Sequence, residues 1–414
     1  MKRVISIIFL FTYSITFSQI PTWIIYDTVN SELPSNRIRT IIIDNDQSKW
    51  LGTYNGGIVH IDGENWTFYN QENTGMPIYS VITIAIDQNN NKWFGTVGGG
   101  LIKFDGANWT EFNPDNSGLP NNIVYDIVFD ELQNMWIGTF NGLAKFDNTN
   151  WTTYTTNNSG LPSNDIKELA IDSLNNIWIG TYGGGIVKFD GDSMYIFNSS
   201  NSGLPTNWIS HIEINENNLK WIGTGWSNGG LAIYDDFSWT IYDTSNSGIP
   251  ANDIFQVSID DTQNKWIGTS EGGLAKYNDY EWIVFDTVNS ELPSNIVYTV
   301  AIDSYQNKWI GTKDGLALFN EFGIVSTSNN FLYDNQSIRI YPNPANHFLN
   351  VFLNVFSTNK VDIYFIDLFG NIVKQINYSD KTKLKINIED LKNGMYIVKV
   401  VSNDKTYVKT LLKN

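Results

Sequence analysis

Along most of the chain, short apolar runs are separated by clusters of Gly, Asn, Asp and Pro. One stretch gives the pattern: Val81–Ile86, Lys92–Thr96, 100–104 and Trp109–Phe112 are the runs. They are split by Asp87-Gln-Asn-Asn-Asn, Gly98-Gly99-Gly100 and Asp105-Gly106, and followed by Asn-Ser-Gly-Leu-Pro. Runs of this length bounded by such residues predict four antiparallel strands joined by tight turns, labelled a to d.

The unit recurs. Lys-Trp-Ile-Gly-Thr, with small variations, places Trp50, Trp93, Trp136, Trp178, Trp221, Trp266 and Trp309 on strand b at spacings of 43, 43, 42, 43, 45 and 43 residues. A second series, Trp23, Trp66, Trp109, Trp151, Trp239 and Trp282 with Met194 in the remaining place, marks strand d. A third, running from Leu33-Pro34 to Leu292-Pro293, marks the turn before strand a. Seven places in each series predict an all-β, seven-bladed β-propeller over 19–330. Strand b, covered on both faces by neighbouring blades, calls for a large apolar body. The glycine two residues after each tryptophan lets the adjacent backbone approach.

The series are out of phase, because Trp23 precedes the first complete a–b–c set and no d-type tryptophan follows Trp309. The strand around Trp23–Tyr26 is therefore expected to close the ring by joining the last blade, which removes exposed sheet edges. Residues 27–36 and 286–295 are identical, so this strand has the same exit as a later strand d. A strand at 323–326 is the rival for that place.

Composition narrows the function classes. There is no cysteine, which excludes a disulfide framework and thiol chemistry, and three histidines leave little room for a zinc site or a His-based triad. The formal charge is −17, but from Ser337 onward it is +5 and Lys2 with Arg3 adds two, leaving about −24 on the middle of the chain. Such a body repels nucleic acid and anionic membrane, so neither is an expected partner. Residues 1–18 read as a secretory signal peptide: Lys2-Arg3, an apolar run over 4–11, then Thr16 and Ser18 before Gln19. No later run is long enough for a transmembrane segment. The expectation is an exported monomer.

Runs such as Leu292-Pro-Ser-Asn-Ile-Val, Asn307-Lys-Trp-Ile-Gly-Thr and Gly315-Leu resemble the two-component regulator propeller repeats. Those repeats form the extracytoplasmic sensor part of hybrid histidine kinases in Bacteroidetes-type bacteria. Sensors of that kind carry twice as many repeats, a membrane span and a kinase. Residues 331–336 read as a polar linker. From Ser337 the pattern changes to Tyr341-Pro-Asn-Pro-Ala, Leu368-Phe-Gly-Asn-Ile and Leu391-Lys-Asn-Gly-Met-Tyr-Ile-Val. Residues 337–414 therefore predict a small, Ig-like β-sandwich, and they resemble the C-terminal sorting domain of the type IX secretion system. That resemblance implies recognition by the secretion machinery, then release or attachment at the outer surface.

Positions that break the repeat are the candidates for function, since loops at the channel mouth can vary without disturbing the blades. Trp208 and Trp226 belong to neither tryptophan series, and both are expected on the face formed by the b–c and d–a loops, where paired aromatics suit a sugar ring or a peptide. Strand a carries one polar position per copy: Thr40, Thr83, Asp126, Glu168, His211, Gln256 and Thr299. These read as the channel lining. Asp126, Glu168 and His211 form an arc able to hold a divalent cation or to supply an acid and a base, although a water-filled channel also tolerates such residues. Arg37, Asp165 and Asp253 add charge toward the mouth, with Tyr54, Phe140 and Tyr182 in b–c loops. The repeated Asp-x-x-x-Asn before strand b lacks the ligand set of a calcium loop and reads as turn chemistry.

The leading expectation is an exported recognition module binding a glycan or peptide through Trp208, Trp226, His211, Glu168, Asp126, Tyr182 and Asp165, with no cofactor unless a divalent cation occupies the arc. A polysaccharide or small-ring lyase using His211 with Glu168 or Asp126 is the alternative from another class. A passive surface scaffold is the third.

Overall fold

The computed structural model describes residues 22–78, 80–225, 229–321, 324, 338–341, 345–353, 361–367, 372–378, 383–402 and 405–413. The expected signal peptide, the linker, Trp226 and all of the rival closing strand except Ile324 lie outside these residues. The chain divides into two compact units, Met1–Ile324 and Val325–Asn414.

In the first unit the described residues form seven four-stranded antiparallel sheets. Blade 1 is Ile38–Ile43, Lys49–Thr53, Ile58–Asp62 and Asn65–Tyr69, from strand a to strand d. The inner strands of blades 2 to 7 are Val81–Ile86, Val124–Phe129, Ile166–Ile171, Ile209–Ile214, Ile254–Ile259 and Val297–Ile302. Each packs against the next, and the last packs against the first. The outer strand of blade 7 is Trp23–Tyr26, paired antiparallel to Leu316–Phe319 with Trp23 opposite Phe319. The ring is thus closed by the first described strand of the chain.

Cross-strand aromatic pairs explain why that strand substitutes for a d strand. Trp109 stacks on Phe104, Trp239 on Tyr234 and Trp282 on Tyr277 at 4.4 Å between ring centroids, and Trp23 stacks on Phe319 at 4.2 Å. The closing strand offers the same anchor as an ordinary strand d.

The strand b motif works across the blade boundary. Trp136 packs with Ile177, Ile179 and Val187 of the following blade, and the other b-strand tryptophans are equally buried. Five of these tryptophans follow a lysine (Met135 and Ile177 precede Trp136 and Trp178), and that lysine lies over the ring of the preceding blade: Lys220 over Trp178 at 4.9 Å, Lys308 over Trp266 at 4.7 Å, and Lys49 over Trp309 at 4.9 Å, which spans the closure. A Cβ on Gly311 would lie 3.0 Å from the carbonyl oxygen of Ile38 in the next blade and 2.5 Å from Thr299 Cγ2, so that glycine is required by close approach.

The Asp-x-x-x-Asn element is a clamp on the same tryptophan. Asp172 accepts from the backbone N–H of Leu174 and Asn176, from Asn176 Nδ2 at 2.8 Å, and from Trp178 Nε1 at 2.9 Å. Asp87, Asp130, Asp260 and Asp303 accept from Trp93, Trp136, Trp266 and Trp309 in the same way. Blade 1 has Ser48 in place of the asparagine and blade 5 has Asn215 and Leu219 in place of both residues, and there the buried Trp50 and Trp221 Nε1 atoms have no hydrogen-bond partner. Turn chemistry accounts for the element, and its asparagine aims the carboxylate at the indole.

Strand a departs from simple alternation in every blade. Its pairing to strand b slips by one residue between Ile38 and Thr40, and at the same point in the other six blades. The extra residues are Arg39, Ile82, Tyr125, Lys167, Ser210, Phe255 and Tyr298. In five blades this bulge gives two consecutive half-buried residues between apolar ones, where a regular strand would give one; in blades 2 and 7 the second of the two, Thr83 or Thr299, is buried.

The second unit contains a three-stranded sheet, Ile338–Tyr341, Phe348–Leu353 and Lys383–Asn387, and a four-stranded sheet of Ile372–Tyr378, Val361–Ile366, Gly394–Ser402 and Lys405–Lys413. Leu349, Val351 and Ile386 of one sheet share a core with Ile363, Phe365 and Val398 of the other, so the two sheets face each other as a sandwich.

Candidate functional site

The bulges and the loops above them put chemistry at one end of the channel. Each b–c loop bonds back to the residue just before strand a: Tyr182 N donates to Asp165 O, and Tyr54 N to Arg37 O. Those of blades 1, 2, 4 and 6 also reach the next blade, as when Gly183 N donates to Asn207 O. Tyr182 of blade 4 therefore meets Trp208 of blade 5. The two pair as an isolated antiparallel bridge and stack at 4.7 Å with 21° between ring planes.

Below this pair, Lys167 Nζ lies 3.5 Å from the ring centroid of Tyr125, 5.3 Å from that of Tyr182, and 2.9 Å from Asp165 Oδ1. Trp208, Tyr182 and Asp165 are thus brought together. Lys167 and Tyr125 are bulge residues, which alternation along strand a assigns to the wrong face. The signal that finds them is their identity: all seven bulge positions start one residue after the first apolar residue of strand a, and five of the seven are cationic or aromatic.

One residue deeper is the polar ring, and its members stitch blades 2 through 7 together. Thr83 Oγ1 donates to Asp126 Oδ1 at 3.1 Å, and Leu169 N to Asp126 Oδ2 at 2.8 Å. Val300 N donates to Gln256 Oε1 at 2.8 Å. His211 Nδ1 lies 2.8 Å from Glu168 Oε1, and its Nε2 lies 3.0 Å from Val257 O. Strand a is the inner edge of its sheet, so its N–H and C=O groups need partners that the sheet does not supply. The polar residues provide them.

The electrostatics follow from burial and charge. Burial alone would push the His211 pKa down. The charge and hydrogen bond of Glu168, then Glu213 and the Val257 carbonyl, outweigh it and raise it to about 9. Both of its partners are acceptors, so both ring nitrogens donate and the ring is an imidazolium. Asp126 is pushed up to about 8, first by burial and then by the Glu168 charge, against the hydrogen bonds it accepts. Glu213 is also raised, chiefly by burial. Asp126, Glu168 and His211 are neighbours in consecutive blades, but they are engaged with each other and with backbone. Among the described residues no group of three or more His, Asp or Glu side chains is arranged to hold a metal ion. No helix among them is long and apolar enough to cross a membrane.

Sequence-family models match two segments of the chain. Residues 118–141 and 160–183 match the two component regulator propeller, and 339–414 match the secretion system C-terminal sorting domain. No curated protein matches. Among solved structures, the extracellular domain of the putative hybrid two component system BT3049 from B. thetaiotaomicron aligns with a TM-score of 0.64 and 21% identity over 95% of this chain and 58% of that one. PorZ, a surface component of the type-IX secretion system of Porphyromonas gingivalis, aligns at 0.60 and 16% over 92% and 59%. Virginiamycin B lyase from Staphylococcus aureus aligns at 0.56 and 14% over 72% and 98%. The chain spans less than two thirds of the length of the first two.

The fold is that of the β-propellers. The chain carries two-component regulator propeller repeats and ends in a type IX C-terminal sorting domain, which marks it for secretion or attachment at the outer surface.

Proposed function

We propose that this exported propeller is a recognition module that binds a glycan or a peptide on the face formed by its b–c and d–a loops, at the blade 4–5 boundary. The observation that carries this reading is the Tyr182–Trp208 stack, with Tyr182 still 37% exposed at the mouth and the Lys167–Asp165 pair beside it. An aromatic platform next to opposed charges offers stacking for a pyranose or an apolar side chain, and hydrogen bonds for hydroxyls or amides. The tail delivers the module through the secretion machinery. The decisive experiment is a glycan and peptide array screen of the full exported chain, with and without calcium, repeated with Trp208→Ala and Tyr182→Ala. Hits that both variants lose support the reading. Hits indifferent to both variants, or no hits, refute it.

The lyase reading requires His211 to take a proton from substrate. An imidazolium with both nitrogens donating, held toward a pKa of about 9, has no lone pair to do so. The ring stitches blade 5 to blades 4 and 6.

A further inference from the structure

The chain has four arginines, and two of them, Arg37 and Arg39, stand two residues apart at the channel mouth of blade 1. In a molecule of formal charge −17, a half-buried guanidinium would be expected to sit against a carboxylate. Neither does: among the described residues no ion pair within 4.0 Å involves either arginine. Both lie on aromatic faces instead. Arg37 Cζ is 4.8 Å from the ring centroid of Tyr54, and Arg39 Cζ is 4.3 Å from that of Tyr298. Tyr298 packs on Phe255 of blade 6 at 5.3 Å.

These residues share one origin. Arg39, Tyr298 and Phe255 are the bulge residues of blades 1, 7 and 6, so the bulge places them side by side along the channel wall. Arg37 immediately precedes strand a of blade 1, and Tyr54, 42% exposed, heads the b–c loop that bonds to it. Lys313 heads the b–c loop of blade 7, the position by which Tyr182 reaches Trp208 in blades 4 and 5. Burial pulls the Arg39 pKa down and the charge of Arg37 adds to it, against the charge and hydrogen bond of Tyr298, which push it back up. The two cations repel each other, and an anion between them relieves that repulsion.

We propose that Arg37 and Arg39, on the shelf of Tyr54, Tyr298 and Phe255, form a receptor for a carboxylate-bearing sugar, such as a uronic acid residue of a polysaccharide. This site is separate from the Tyr182–Trp208 platform and goes beyond the reading above. Stacking on a ring occupies the guanidinium face and leaves the N–H edge available for a bidentate carboxylate contact. The aromatic shelf suits the C–H face of a pyranose. A densely charged sulfate or phosphate polymer meets the negative field of the whole body, whereas a single carboxylate per ring experiences it least.

The test uses the full exported chain and trigalacturonate as probe, with titration calorimetry at low salt. The parent is expected to bind it, to bind its methyl ester at least tenfold more weakly, and to lose affinity as salt is added. Arg37→Gln with Arg39→Gln should cost tenfold or more, Arg39→Lys an intermediate amount, and Trp208→Ala nothing. Unfolding curves of each variant confirm that the fold is retained, and Arg39→Lys keeps the charge should the double variant not fold. No binding of the free acid, equal binding of acid and ester, equal binding of inorganic sulfate, or full affinity in the arginine variants overturns the proposal. Failure of the Trp208→Ala array experiment leaves this result unaffected, so the two readings fail separately.

Discussion

Asp172→Ala tests whether the carboxylate clamps hold the blades. Asp172 is buried and receives four donors: two backbone N–H groups, the Asn176 amide and the indole of Trp178, which is 0% exposed. The backbone donors lie in a loop beside Leu174, 74% exposed, so water can replace the carboxylate there. The indole and the amide have no such substitute. Hydrogen bonds to a charged acceptor contribute about 1.5–3 kcal/mol each, and Trp50 and Trp221 show that the fold survives an unpartnered indole. The expected cost is therefore about 3 kcal/mol by urea unfolding followed by tryptophan fluorescence, with faster exchange of the Trp178 indole proton. The converse change is sharper. Asn215→Asp together with Leu219→Asn rebuilds the missing clamp in blade 5. The double-mutant cycle should show favourable coupling of about 1 kcal/mol, because the aspartate reaches Trp221 only when the asparagine aims it. Stability within about 0.5 kcal/mol of the parent for Asp172→Ala, or zero coupling in blade 5, would refute the clamp as described.

Other perturbations have comparably definite outcomes. Trp23→Ala removes the anchor of the closing strand, stacked on Phe319 at 4.2 Å and edge-on to Phe285 at 6.0 Å; it should cost about 3 kcal/mol by thermal unfolding and raise protease cutting near residue 27. Gly311→Val drives a side chain into Ile38 and Thr299 and should prevent recovery of a folded chain, whereas the same change at Gly106, which has nothing within 4 Å, costs chiefly its positive-φ strain. His211, raised from 6.5 to about 9, adds stability that is complete below pH 6.5 and lost as pH rises through 9. Asp126, raised from 3.8 to about 8, likewise disfavours folding as pH climbs from 4 to 8. Urea midpoints should thus fall between pH 6 and pH 10, and in His211→Gln the part above pH 6.5 should shrink; a midpoint flat across that range contradicts the assignment. Deleting 337–414 should leave a folded propeller that fails to cross the outer membrane, as read by immunoblot of cell fractions.

The fold was legible because its packing repeats. A tryptophan that must fill the same inter-blade space seven times, followed by a glycine that must let the next strand approach, leaves a period that survives variation elsewhere. The closing strand was legible for the same reason, since Trp23 carries the d-strand signature out of phase. The role of the lysine before Trp50 and its counterparts was not. A cation over the ring of the preceding blade links residues a full repeat apart, or opposite ends of the ring in the case of Lys49 and Trp309, and nothing local announces it. The clamp was half legible: Asp-x-x-x-Asn reads correctly as a turn, but its contact with the indole depends on how the hairpin folds back.

The channel was the hardest part to read, and the bulge is the cause. Alternation assigns residues two apart to one face, which picks out Asp126, Glu168, His211 and Gln256 and passes over the residue before each. With one residue inserted per inner strand, that neglected neighbour also turns toward the channel, nearer the mouth. The polar residues chosen by alternation are then used to satisfy backbone edges, as Gln256 does for Val300 and Asp126 for Leu169. Residues that fasten one blade to the next are not free to meet a ligand. Among the bulge residues Ser210 shares that duty, donating its hydroxyl to the Ile254 carbonyl of blade 6, whereas the others differ from blade to blade in what they offer the channel: Lys167 with Tyr125 on one side, Arg39 with Tyr298 and Phe255 on the other. In a ring whose blades must resemble one another to pack, specificity belongs where no neighbouring blade enforces sameness. The extra residue of each inner strand meets that condition, so binding should respond to Lys167 and Arg39 before it responds to His211.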